Sequence, residues 1–375
     1  MNLPIRQDLW DYLKNTDKPI TLYGMGNGAD KIIAALDERG IPFADVFASD
    51  GFVRGHAFHG KTVLTYSAVK EKYGVGNFIV LLSFATALPD VIERIEAIAA
   101  ECELYAPDIP VVLNEAATDA ECFDLAYYNA HMDELDRTYA LLSDDRSRAL
   151  LSDMLSYRLT GEIPYLLRET DEKDAVYSRL LCADRFLRYA DLGAYNGDTV
   201  REILPYAPHL REAYCMEPDP RNFRKLSEYA ASETRCRVIP LNYAAHNKEE
   251  TLLFEVSGNR NATLKSGNPS CKKHKEVAAA SLSHLLSEYG DPKIDYIKFD
   301  VEGAEREAIE GCLPVIKRDR PALLVSLYHR REDLFALPLY LSSVLKGYDF
   351  YLRRFRYIPA WDLNLYAIPR TDAEV

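Results

Sequence analysis

The second half of the chain contains the stretch Tyr189-Ala-Asp-Leu-Gly-Ala-Tyr-Asn-Gly-Asp-Thr199, around which that half is organised. Asp191 follows an apolar run, Gly193 and Gly197 come next, and a helical pattern begins near Thr199. A strand that ends in a carboxylate and turns through glycines into a helix is typical of a nucleotide-binding βα turn. The order Asp-x-Gly-x-x-x-Gly differs from the Gly-x-Gly-x-x-Gly motif that wraps a pyrophosphate. The stretch therefore predicts a ligand that presents a cationic or hydroxyl-bearing part to Asp191.

The next two predicted strands also end in polar side chains. Residues 212–216 predict a strand that leads into Glu217 and Pro218. In an α/β nucleotide fold, the acid after the second strand accepts hydrogen bonds from ribose hydroxyls. Residues 237–241 predict a third strand, which leads into Asn242, and adenine contacts are expected from that loop. The two strand ends are therefore predicted to bind the nucleoside part of a cofactor.

A fourth predicted strand carries three ionisable side chains near its carboxyl end. It lies in the block Ile294-Asp-Tyr-Ile-Lys-Phe-Asp-Val-Glu-Gly-Ala-Glu305. Strand alternation places Lys298, Asp300 and Glu302 on one side. Ionisable groups at the edge of a buried strand are costly unless they pair with one another or take part in chemistry. This edge is therefore a candidate functional site.

The N-terminal part of the chain repeats the strand, glycine turn and helix. A predicted strand at 19–24 runs into Gly24, Gly26 and Asn27, and a helix follows. Asp50 lies at the end of the next predicted strand, near the position of a ribose-binding acid. These four residues predict a nucleotide site, but a tight turn that needs glycine for steric reasons explains the glycines equally well.

The alternation of strands and helices predicts an α/β fold with two Rossmann-like, doubly wound domains. Residues 1–117 form the first predicted domain, and residues 186–375 form the second. Between them, residues 118–185 have apolar positions at helical spacing and predict a helical connector. A chain of 375 residues is long enough to bury two cores.

Composition limits the classes of partner. The net charge of −13 argues against nucleic-acid binding, which requires a basic face. The basic run Lys272-Lys273-His274-Lys275 is interpreted as a solvated loop. Seven dispersed cysteines without a C-x-x-C pair predict reduced thiols. No apolar run approaches the ~18 residues of a membrane span, so a cytoplasmic protein is expected. The oligomeric state, including a homo-oligomer, stays open.

These motifs together resemble the FkbM family of S-adenosylmethionine-dependent methyltransferases, over about residues 186–370. The resemblance is carried by Asp191-x-Gly193-Ala-x-x-Gly197-Asp198-Thr199, Glu217-Pro218, Lys298-Phe-Asp-Val-Glu-Gly-Ala-Glu305, and Tyr328-His329 with Asp333. It implies a class I methyltransferase fold, S-adenosyl-L-methionine as cofactor, and methylation of a hydroxyl on a saccharide, glycan or related small molecule. The residues expected to bind the cofactor are Asp191, Gly193, Asn196, Gly197, Asp198, Thr199, Glu217, Pro218, Asn242, Asp300 and Glu302.

A second resemblance concerns the N-terminal domain. The pattern Tyr23-Gly24-x-Gly26-Asn27, with Asp50 and the turn Gly60-x-x-Val63, resembles the Rossmann-like domain of bacterial sugar O-acyltransferases. In those enzymes the resemblance implies a nucleotide-sugar pocket. It also favours a saccharide as the acceptor of the methyl group.

Two residues are candidates for the base that removes the hydroxyl proton. They are His329, which follows the fifth predicted strand, and Asp300, which follows the fourth. His329 has a suitable unperturbed pKa, although a structural role with Asp333 explains it equally well. Positioning alone supplies ~7–11 kcal/mol of barrier reduction, so a strong base is not obligatory. A metal site at Asp300, Glu302 and His329 is conceivable, but their spacing is not diagnostic and Lys298 lies among them, so no metal is predicted.

Two other functions are compatible with the sequence. The first is a nucleotide-sugar or NAD-binding enzyme with its chemistry near Gly24, Gly26 and Asp50, although residues 1–115 contain no Tyr-x-x-x-Lys pair. The second is a non-catalytic scaffold that binds S-adenosylmethionine. Binding of S-adenosylmethionine compared with NAD and UDP-sugars distinguishes the first alternative from a methyltransferase, and turnover distinguishes the second.

Overall fold

The computed structural model describes residues 3–52, 55, 57–112, 121–168, 170–255 and 274–370. The predicted domain boundary at 117/118 and the basic residues Lys272 and Lys273 lie outside the described residues. The chain divides into two compact units, each built from several segments. The first unit comprises Met1–Tyr139, Arg148–Thr170 and Arg354–Asp362, and the second comprises Ala140–Ser147, Asp171–Arg353 and Leu363–Val375. The predicted division into three parts remains a prediction, since the two units share the residues of the predicted connector.

The elements up to residue 168 include a run of short strands and eight helices among the described residues. They are α1 (Leu9–Lys14), β1 (Ile20–Tyr23), α2 (Asn27–Glu38), β2 (Asp45–Ala48), a 3₁₀ turn (Asp50–Phe52), β3 (Ala57–Phe58), β4 (Lys61–Thr62), β5 (Leu64–Thr65), α3 (Tyr66–Tyr73), β6 (Ile79–Leu82), α4 (Pro89–Glu101), β7 (Glu103–Tyr105), α5 (Leu125–Ala130), α6 (Met132–Leu141), α7 (Asp145–Thr160) and α8 (Ile163–Arg168).

The first unit contains a five-stranded sheet in the order β5-β2-β1-β6-β7. All neighbouring strands in it run parallel. The central strands β1, β2 and β6 are buried along their whole length, as continuous apolar runs in parallel sheets are. Helix α2 presents Ile32, Ile33 and Leu36 to a core that also contains Ile20 and Leu22. Strands β2 and β5 lie on one side of β1, and β6 and β7 lie on the other side. The strand order therefore switches between β1 and β6, which makes the sheet doubly wound.

The second unit contains most of the remaining elements. They are a π-helical turn (Ala175–Leu180), a 3₁₀ turn (Ala183–Arg185), β8 (Arg188–Leu192), α9 (Asp198–Ile203), β9 (Glu212–Met216), α10 (Pro220–Ser232), β10 (Arg237–Leu241), β11 (Ala244–Ala245), β12 (Glu250–Glu255), β13 (His274–Ala280), α11 (Leu282–Ser287), β14 (Tyr296–Phe299), α12 (Glu305–Asp319), β15 (Ala322–Ser326), α13 (Asp333–Val344), β16 (Tyr348–Arg354) and β17 (Leu363–Pro369).

A seven-stranded sheet in the order β10-β9-β8-β14-β15-β17-β16 forms the centre of the second unit. The first five of these strands run parallel, and β17 runs antiparallel to β15. A parallel sheet with one reversed strand inserted near its edge is the arrangement of the class I methyltransferase fold. The predicted fold class, with two Rossmann-like doubly wound sheets, is confirmed. Strands β9 and β10 follow β8 on one side of it, and β14 and β15 lie on the other side. The strand order therefore switches between β8 and β14, and ligands are expected at the carboxyl ends of these two strands.

Local sequence explains how the strands of the second unit are followed by helices. The side chain of Asp219 caps α10 by accepting hydrogen bonds from the backbone N–H groups of Arg221 and Asn222, and Pro220 occupies the first helical turn. The side chain of Ser281 caps α11 in the same way, through the N–H of His284. These caps fix the points at which the chain leaves the sheet edge and begins each helix.

The structure adds detail to one predicted segment and corrects a second. Within the predicted helical connector, residues 125–141 form two helices, α5 and α6, with a break at His131. The fourth strand of the second unit ends at Phe299, so strand alternation does not extend to Glu302. The left-handed backbone at Glu302 and Gly303 ends the alternation, and the alternating sequence pattern alone does not reveal this turn.

Two further expectations concern the whole chain. The cysteines within the described ranges are free thiols, as the dispersed count predicts. In the part of the chain that the structure describes, no helix is both long and apolar enough to cross a bilayer.

Candidate functional site

The glycine turn after β8 is held by close packing. A Cβ atom at Gly193 would lie 1.8 Å from the carbonyl oxygen of Asp300, and one at Gly197 would lie 2.3 Å from the ring of Tyr229. Both glycines also have positive φ, 84° and 81°. Only glycine fits these two positions. Gly193 lets the end of β8 approach the end of β14, and Gly197 lets the turn approach α10.

Asp191 is the acid in this turn, and it is fully buried. One of its oxygens accepts a hydrogen bond from the hydroxyl of Thr199. The other, Oδ1, has no hydrogen-bond partner and lies 3.5 Å from Nζ of Lys298. Burial raises the pKa of Asp191, although Lys298 opposes this effect. A buried carboxylate oxygen without a hydrogen bond is costly, which makes it a candidate ligand group.

Lys298 joins the ends of two strands. Its Nζ lies 3.2 Å from Oδ2 of Asp300 and 3.5 Å from the carbonyl oxygen of Gly193, in addition to its contact with Asp191. Burial lowers the pKa of Lys298, but Asp300 and Asp191 outweigh that effect and raise it. A charged ammonium group therefore lies between two carboxylates. Pairing among the ionisable groups of this strand end was one of the two explanations that the sequence offered, and the structure pairs Lys298 with Asp300 and also with Asp191.

The ends of β9 and β10 form a second group around Glu217. Its two carboxylate oxygens accept hydrogen bonds from the backbone N–H groups of Tyr195, at 2.9 Å, and Asp219, at 2.8 Å. The amide of Asn242 donates to the carbonyl oxygens of Glu217, at 2.8 Å, and Pro218, at 3.4 Å. Burial raises the pKa of Glu217 to about 8. The predicted ribose acid and the predicted adenine loop are thus in contact.

The turn after β14 places two glutamates differently. Glu302 has φ of 55° and Gly303 has φ of 91°, so the backbone is left-handed at both residues. Glu305 is buried, and its Oε1 accepts hydrogen bonds from the N–H groups of Val301, at 2.9 Å, and Gly303, at 3.4 Å. Glu305 therefore closes the turn, whereas Oε2 of Glu302 is buried without a hydrogen-bond partner.

His329 lies beyond the end of β15 and is fully buried among carboxylates. Its Nδ1 lies 2.9 Å from Oε1 of Glu305, and its Nε2 lies 3.5 Å from both Oδ1 of Asp300 and Oε2 of Glu302. Burial lowers the pKa of His329, but these three carboxylates outweigh it and raise the pKa to about 10. The imidazole therefore carries a proton on both nitrogens at neutral pH.

Asp300 is the most highly connected carboxylate of this edge. Besides Lys298 and His329, it accepts a hydrogen bond of 2.8 Å from the hydroxyl of Tyr328. Burial raises the pKa of Asp300, but the charges of Lys298 and His329 outweigh it and hold the pKa well below its usual range. Asp300 is therefore ionised and has at least one partner at each carboxylate oxygen.

Glu305, His329 and Asp333 could be considered as a metal site, because one donor atom from each lies within 4.8 Å of the others. Metal–ligand bonds of about 2.1 Å allow separations of at most ~4.2 Å, so this spread is wide. Glu305 already accepts the backbone hydrogen bonds of its turn, and Asp333 accepts a 2.7 Å bond from the N–H of Arg330. We therefore interpret the three residues as the network that holds the two loops, and not as metal ligands.

The predicted site residues thus fall into two connected groups and a remainder. Asp191, Gly193, Thr199, Asp300, Glu302 and His329 are linked through Lys298 and the strand ends, and Glu217, Pro218 and Asn242 form the second group. Asn196 instead accepts bonds from Arg201, and Asp198 lies at the start of α9. Sequence reasoning missed Glu305 as the partner of His329 and Tyr328 as the donor to Asp300. Their adjacency to predicted residues was the only available signal.

The predicted nucleotide site of the N-terminal domain differs in character. A Cβ atom at Gly24 would lie 2.7 Å from the ring of Phe84, so close packing requires glycine there. Gly26 has φ of 137°, and Asn27 begins α2. Asp50 bonds the backbone N–H and the hydroxyl of Ser67.

A cavity of about 430 Å³ in the first unit includes one of these four residues. Its lining comprises Tyr23, Ser49, Asp50, Gly51, Tyr66, Arg94, Ala97, Ile98 and Glu101. The structure therefore brings Asp50 to a cavity, but not the two glycines or Asn27.

A comparison with known protein families finds a match over the part of the chain that contains the candidate site. Residues 191–357 match the family model described as the Methyltransferase FkbM domain. This match begins at Asp191 and contains Glu217, Asp300 and His329. It does not extend to the first 190 residues, so the resemblance of the N-terminal domain to sugar O-acyltransferases stays a prediction. No curated protein matches the chain.

Solved structures give a similarity of fold. The fold is similar to that in the crystal structure of methyltransferase FkbM from Methylobacillus flagellatus KT, with a TM-score of 0.68. The two sequences are 18% identical, and the match covers 93% of this chain and 90% of that one. An rRNA methylase from Streptococcus thermophilus is 12% identical, with a TM-score of 0.32, over 52% of this chain and 95% of that one. Fibrillarin from Aeropyrum pernix, in complex with S-adenosyl-L-methionine, is 14% identical, with a TM-score of 0.32, over 50% and 68%. Only the first similarity is high enough to support the fold.

Proposed function

We propose that the second unit is an S-adenosylmethionine-dependent O-methyltransferase that acts on a hydroxyl of a saccharide or related small molecule. The observation that carries this proposal is the coincidence of two findings. The FkbM domain match spans residues 191–357, and the buried ionisable groups at the sheet edge lie within that range. Perturbed, buried ionisable groups cluster at functional sites.

The residues at this edge fit S-adenosylmethionine. Glu217 offers a carboxylate suited to ribose hydroxyls, and Asn242 lies beside it for the adenine. Asp191 has a buried oxygen without a hydrogen bond, and Asp300 is an ionised carboxylate on the neighbouring strand, so both suit the cationic amino group. When bound, the cofactor supplies an electrophilic methyl group on a sulfonium. The glycines of the turn let such a ligand approach the backbone.

The acceptor must present a hydroxyl to an edge rich in negative charge. Asp300, Glu302 and Glu305 surround His329 there. Carboxylates accept hydrogen bonds from neutral hydroxyls but repel phosphates, which favours a neutral polyol such as a saccharide over an anionic acceptor. The net charge of the chain, −13, favours the same class.

Transfer of the methyl group requires the acceptor oxygen to lie in line with the carbon, in a site from which water is excluded. The protein contributes rigidity to this alignment, because Lys298 and the glycine contact at Gly193 join the ends of β8 and β14. Neither base predicted from the sequence is free to accept a proton. Asp300 is paired with Lys298, and His329 is already protonated because its pKa is raised to about 10. Positioning is therefore expected to account for most of the acceleration.

The proposal is tested by release of S-adenosylhomocysteine from the full chain in the presence of saccharides, glycolipids and cell-wall precursors. We expect turnover with at least one hydroxyl acceptor and a product heavier by one methyl group. Silence across such a panel, with intact binding of S-adenosylmethionine, would favour a non-catalytic scaffold.

A second candidate function concerns the first unit. The cavity lined by Tyr23, Asp50, Tyr66 and Arg94 combines aromatic faces with charged groups. This combination favours a small polar ligand such as a nucleotide or a sugar, as the sequence predicted for that domain. Titration of UDP-sugars and NAD into the protein, with Asp50→Ala as control, tests it. Binding that the substitution leaves unchanged would remove the assignment.

A further inference from the structure

In the turn between β14 and α12, Glu302 has a left-handed backbone conformation although it is not a glycine. Glu302 has φ of 55°, which side-chain-bearing residues rarely adopt. Such conformations are concentrated at active sites, where the surrounding structure holds them. Here Glu305 holds the turn by accepting hydrogen bonds from the N–H groups on either side of Glu302. The strain therefore belongs to the residue whose carboxylate is presented at the sheet edge.

The carboxylate of Glu302 is poorly satisfied. Its Oε2 is buried and has no hydrogen-bond partner, although 26% of the side chain remains exposed. The nearest cation is Nε2 of His329, at 3.5 Å, without hydrogen-bond geometry. By contrast, Oε1 of Glu305 is engaged with two backbone N–H groups, and Asp300 is engaged with Lys298 and Tyr328. Oδ1 of Asp191 and Oε2 of Glu305 also lack a hydrogen-bond partner, but these two side chains are at most 1% exposed. Among these three carboxylates, Glu302 is the one that is both partly exposed and incompletely hydrogen-bonded.

His329 cannot take this part in the state that the structure shows. Both of its nitrogens face carboxylates, Nδ1 towards Glu305 and Nε2 towards Asp300 and Glu302. A neutral imidazole would direct a lone pair at one of these anions, which is unfavourable. The imidazolium is instead a fixed positive charge beside Glu302.

We propose that Glu302 is the general base of the methyl transfer and that His329 is a positioning residue that sets its basicity. This assignment rests on the proposed function. As the acceptor oxygen forms its bond to the methyl carbon, the carbon–sulfur bond breaks and its electron pair remains on sulfur. The O–H bond of the acceptor breaks in the same process, and Glu302 takes the proton. The products are a methyl ether, a neutral thioether and a protonated Glu302, which returns its proton to solvent.

The charges that face Glu302 are those of His329, Asp300, Glu305 and Lys298. Burial raises the pKa of Glu302 to about 7, and His329 opposes this rise. A base near neutral pKa is well matched to proton removal at physiological pH. Below that value Glu302 is protonated and inactive, so kcat/KM for the acceptor should rise with pH and level off above about 7.

The test compares the pH profile of the wild type with that of three variants. Glu302→Gln should reduce kcat by ~10²–10⁴-fold and remove the part of the pH profile that rises with pH, called here the rising limb. The proposal replaces the cofactor-binding role that the sequence predicted for Glu302, so the affinity for S-adenosylmethionine should be unchanged. Glu302→Asp should retain a limb at reduced rate. Glu310→Gln is the matched control, since that carboxylate lies further along α12 and pairs with Arg306. It should leave the rate and the limb unchanged.

The pH profile of His329→Gln tests whether His329 sets the basicity of Glu302, because a purely structural role would not shift the pH at which the rate rises. Without the positive charge, the pKa of Glu302 rises, so the limb should shift to higher pH, while Glu302→Gln has no limb to shift. A Glu302→Gln variant that retains the rate within threefold, or that retains the limb, overturns the assignment. A wild type that binds no S-adenosylmethionine overturns the proposed function, and this assignment with it. The two failures are thus distinguishable by a binding measurement made first.

Discussion

The two largest sheets of the molecule have similar parallel strands at their centres but differ at the carboxyl ends of those strands. In both, a glycine turn follows the first strand and an acid follows the second. In the first unit, Asp50 is exposed and bonded to Ser67, and Gly24 is explained by its contact with Phe84. In the second, Asp191, Lys298 and His329 have little or no exposed surface. The same strand and turn pattern thus accompanies two different chemical environments.

This difference shows what a glycine turn indicates by itself. Glycine is required in both units by positive φ or close packing, so it marks the geometry of the turn and not the ligand. Buried charges such as Lys298 and Asp191 are more informative than glycines, because removing charged groups from water costs free energy. A cluster of such groups therefore distinguishes the edge that we propose as the functional site.

The largest expected effect comes from removing the buried cation. Lys298→Met removes the cation beside the fully buried Asp191 and the partly buried Asp300, and breaking a buried pair costs about 3–5 kcal/mol. The matched change in the first unit is Lys70→Met, since Lys70 pairs with Glu101 on the surface. Such a pair contributes about 0.2–1 kcal/mol. Chemical denaturation followed by circular dichroism measures both, and equal losses would refute the contrast between the two edges.

The next effect concerns cofactor affinity. Asp191→Asn keeps the shape of the side chain but removes its charge, so we expect S-adenosylmethionine to bind at least ~100-fold more weakly, since charged hydrogen bonds are the strong ones. Asp50→Asn, the matched change in the first unit, should leave that affinity unchanged. Calorimetric titration gives both constants. An unchanged affinity in Asp191→Asn would remove Asp191 from the cofactor site.

The affinity for S-adenosylmethionine should also depend on pH through Glu217. Burial raises the pKa of Glu217 to about 8, and ribose hydroxyls donate to the ionised form. Binding therefore releases a proton, and affinity should rise by up to about tenfold per pH unit below about 8, then level off. Glu217→Gln should abolish this dependence. A wild-type affinity that is flat between pH 6 and 9 would contradict the assignment.

The same raised pKa has a consequence for stability. The folded protein binds the proton of Glu217 more tightly than the unfolded chain does. Protonated Glu217 therefore adds to the free energy of unfolding at low pH. This contribution is lost as pH rises through about 8. Comparison of the wild type with Glu217→Gln across this window measures the loss.

The smallest effect comes from a single hydroxyl at each edge. Tyr328→Phe removes the donor to Asp300, which should lower kcat/KM about fivefold, corresponding to about 1 kcal/mol. Tyr23→Phe removes the hydroxyl that contacts Ser49 in the first unit, and methyl transfer should not change. A reduced activity in Tyr23→Phe would mean that the first unit takes part in the reaction.

Much of the second unit was predictable because its information is local. The strands ending near Asp191 and Glu217, and the class of fold, follow from apolar runs and glycine turns within short windows. The proposed role of Glu302 was not predictable in the same way. Strand alternation assigned Glu302 to the strand, whereas it lies in a left-handed turn after the strand ends at Phe299. The pairing of His329 with Glu305, rather than with Asp333, depends on packing between distant loops. Charge balance at such a site emerges only when the loops are brought together.

The central claim is that the buried edge of the seven-stranded sheet binds S-adenosylmethionine. Calorimetric titration of S-adenosylmethionine, NAD and a UDP-sugar into the full chain and into Asp191→Asn tests it most directly. The predicted result is saturable binding of one S-adenosylmethionine per chain to the wild type and its loss in Asp191→Asn. Binding of NAD or the UDP-sugar without binding of S-adenosylmethionine would contradict the claim.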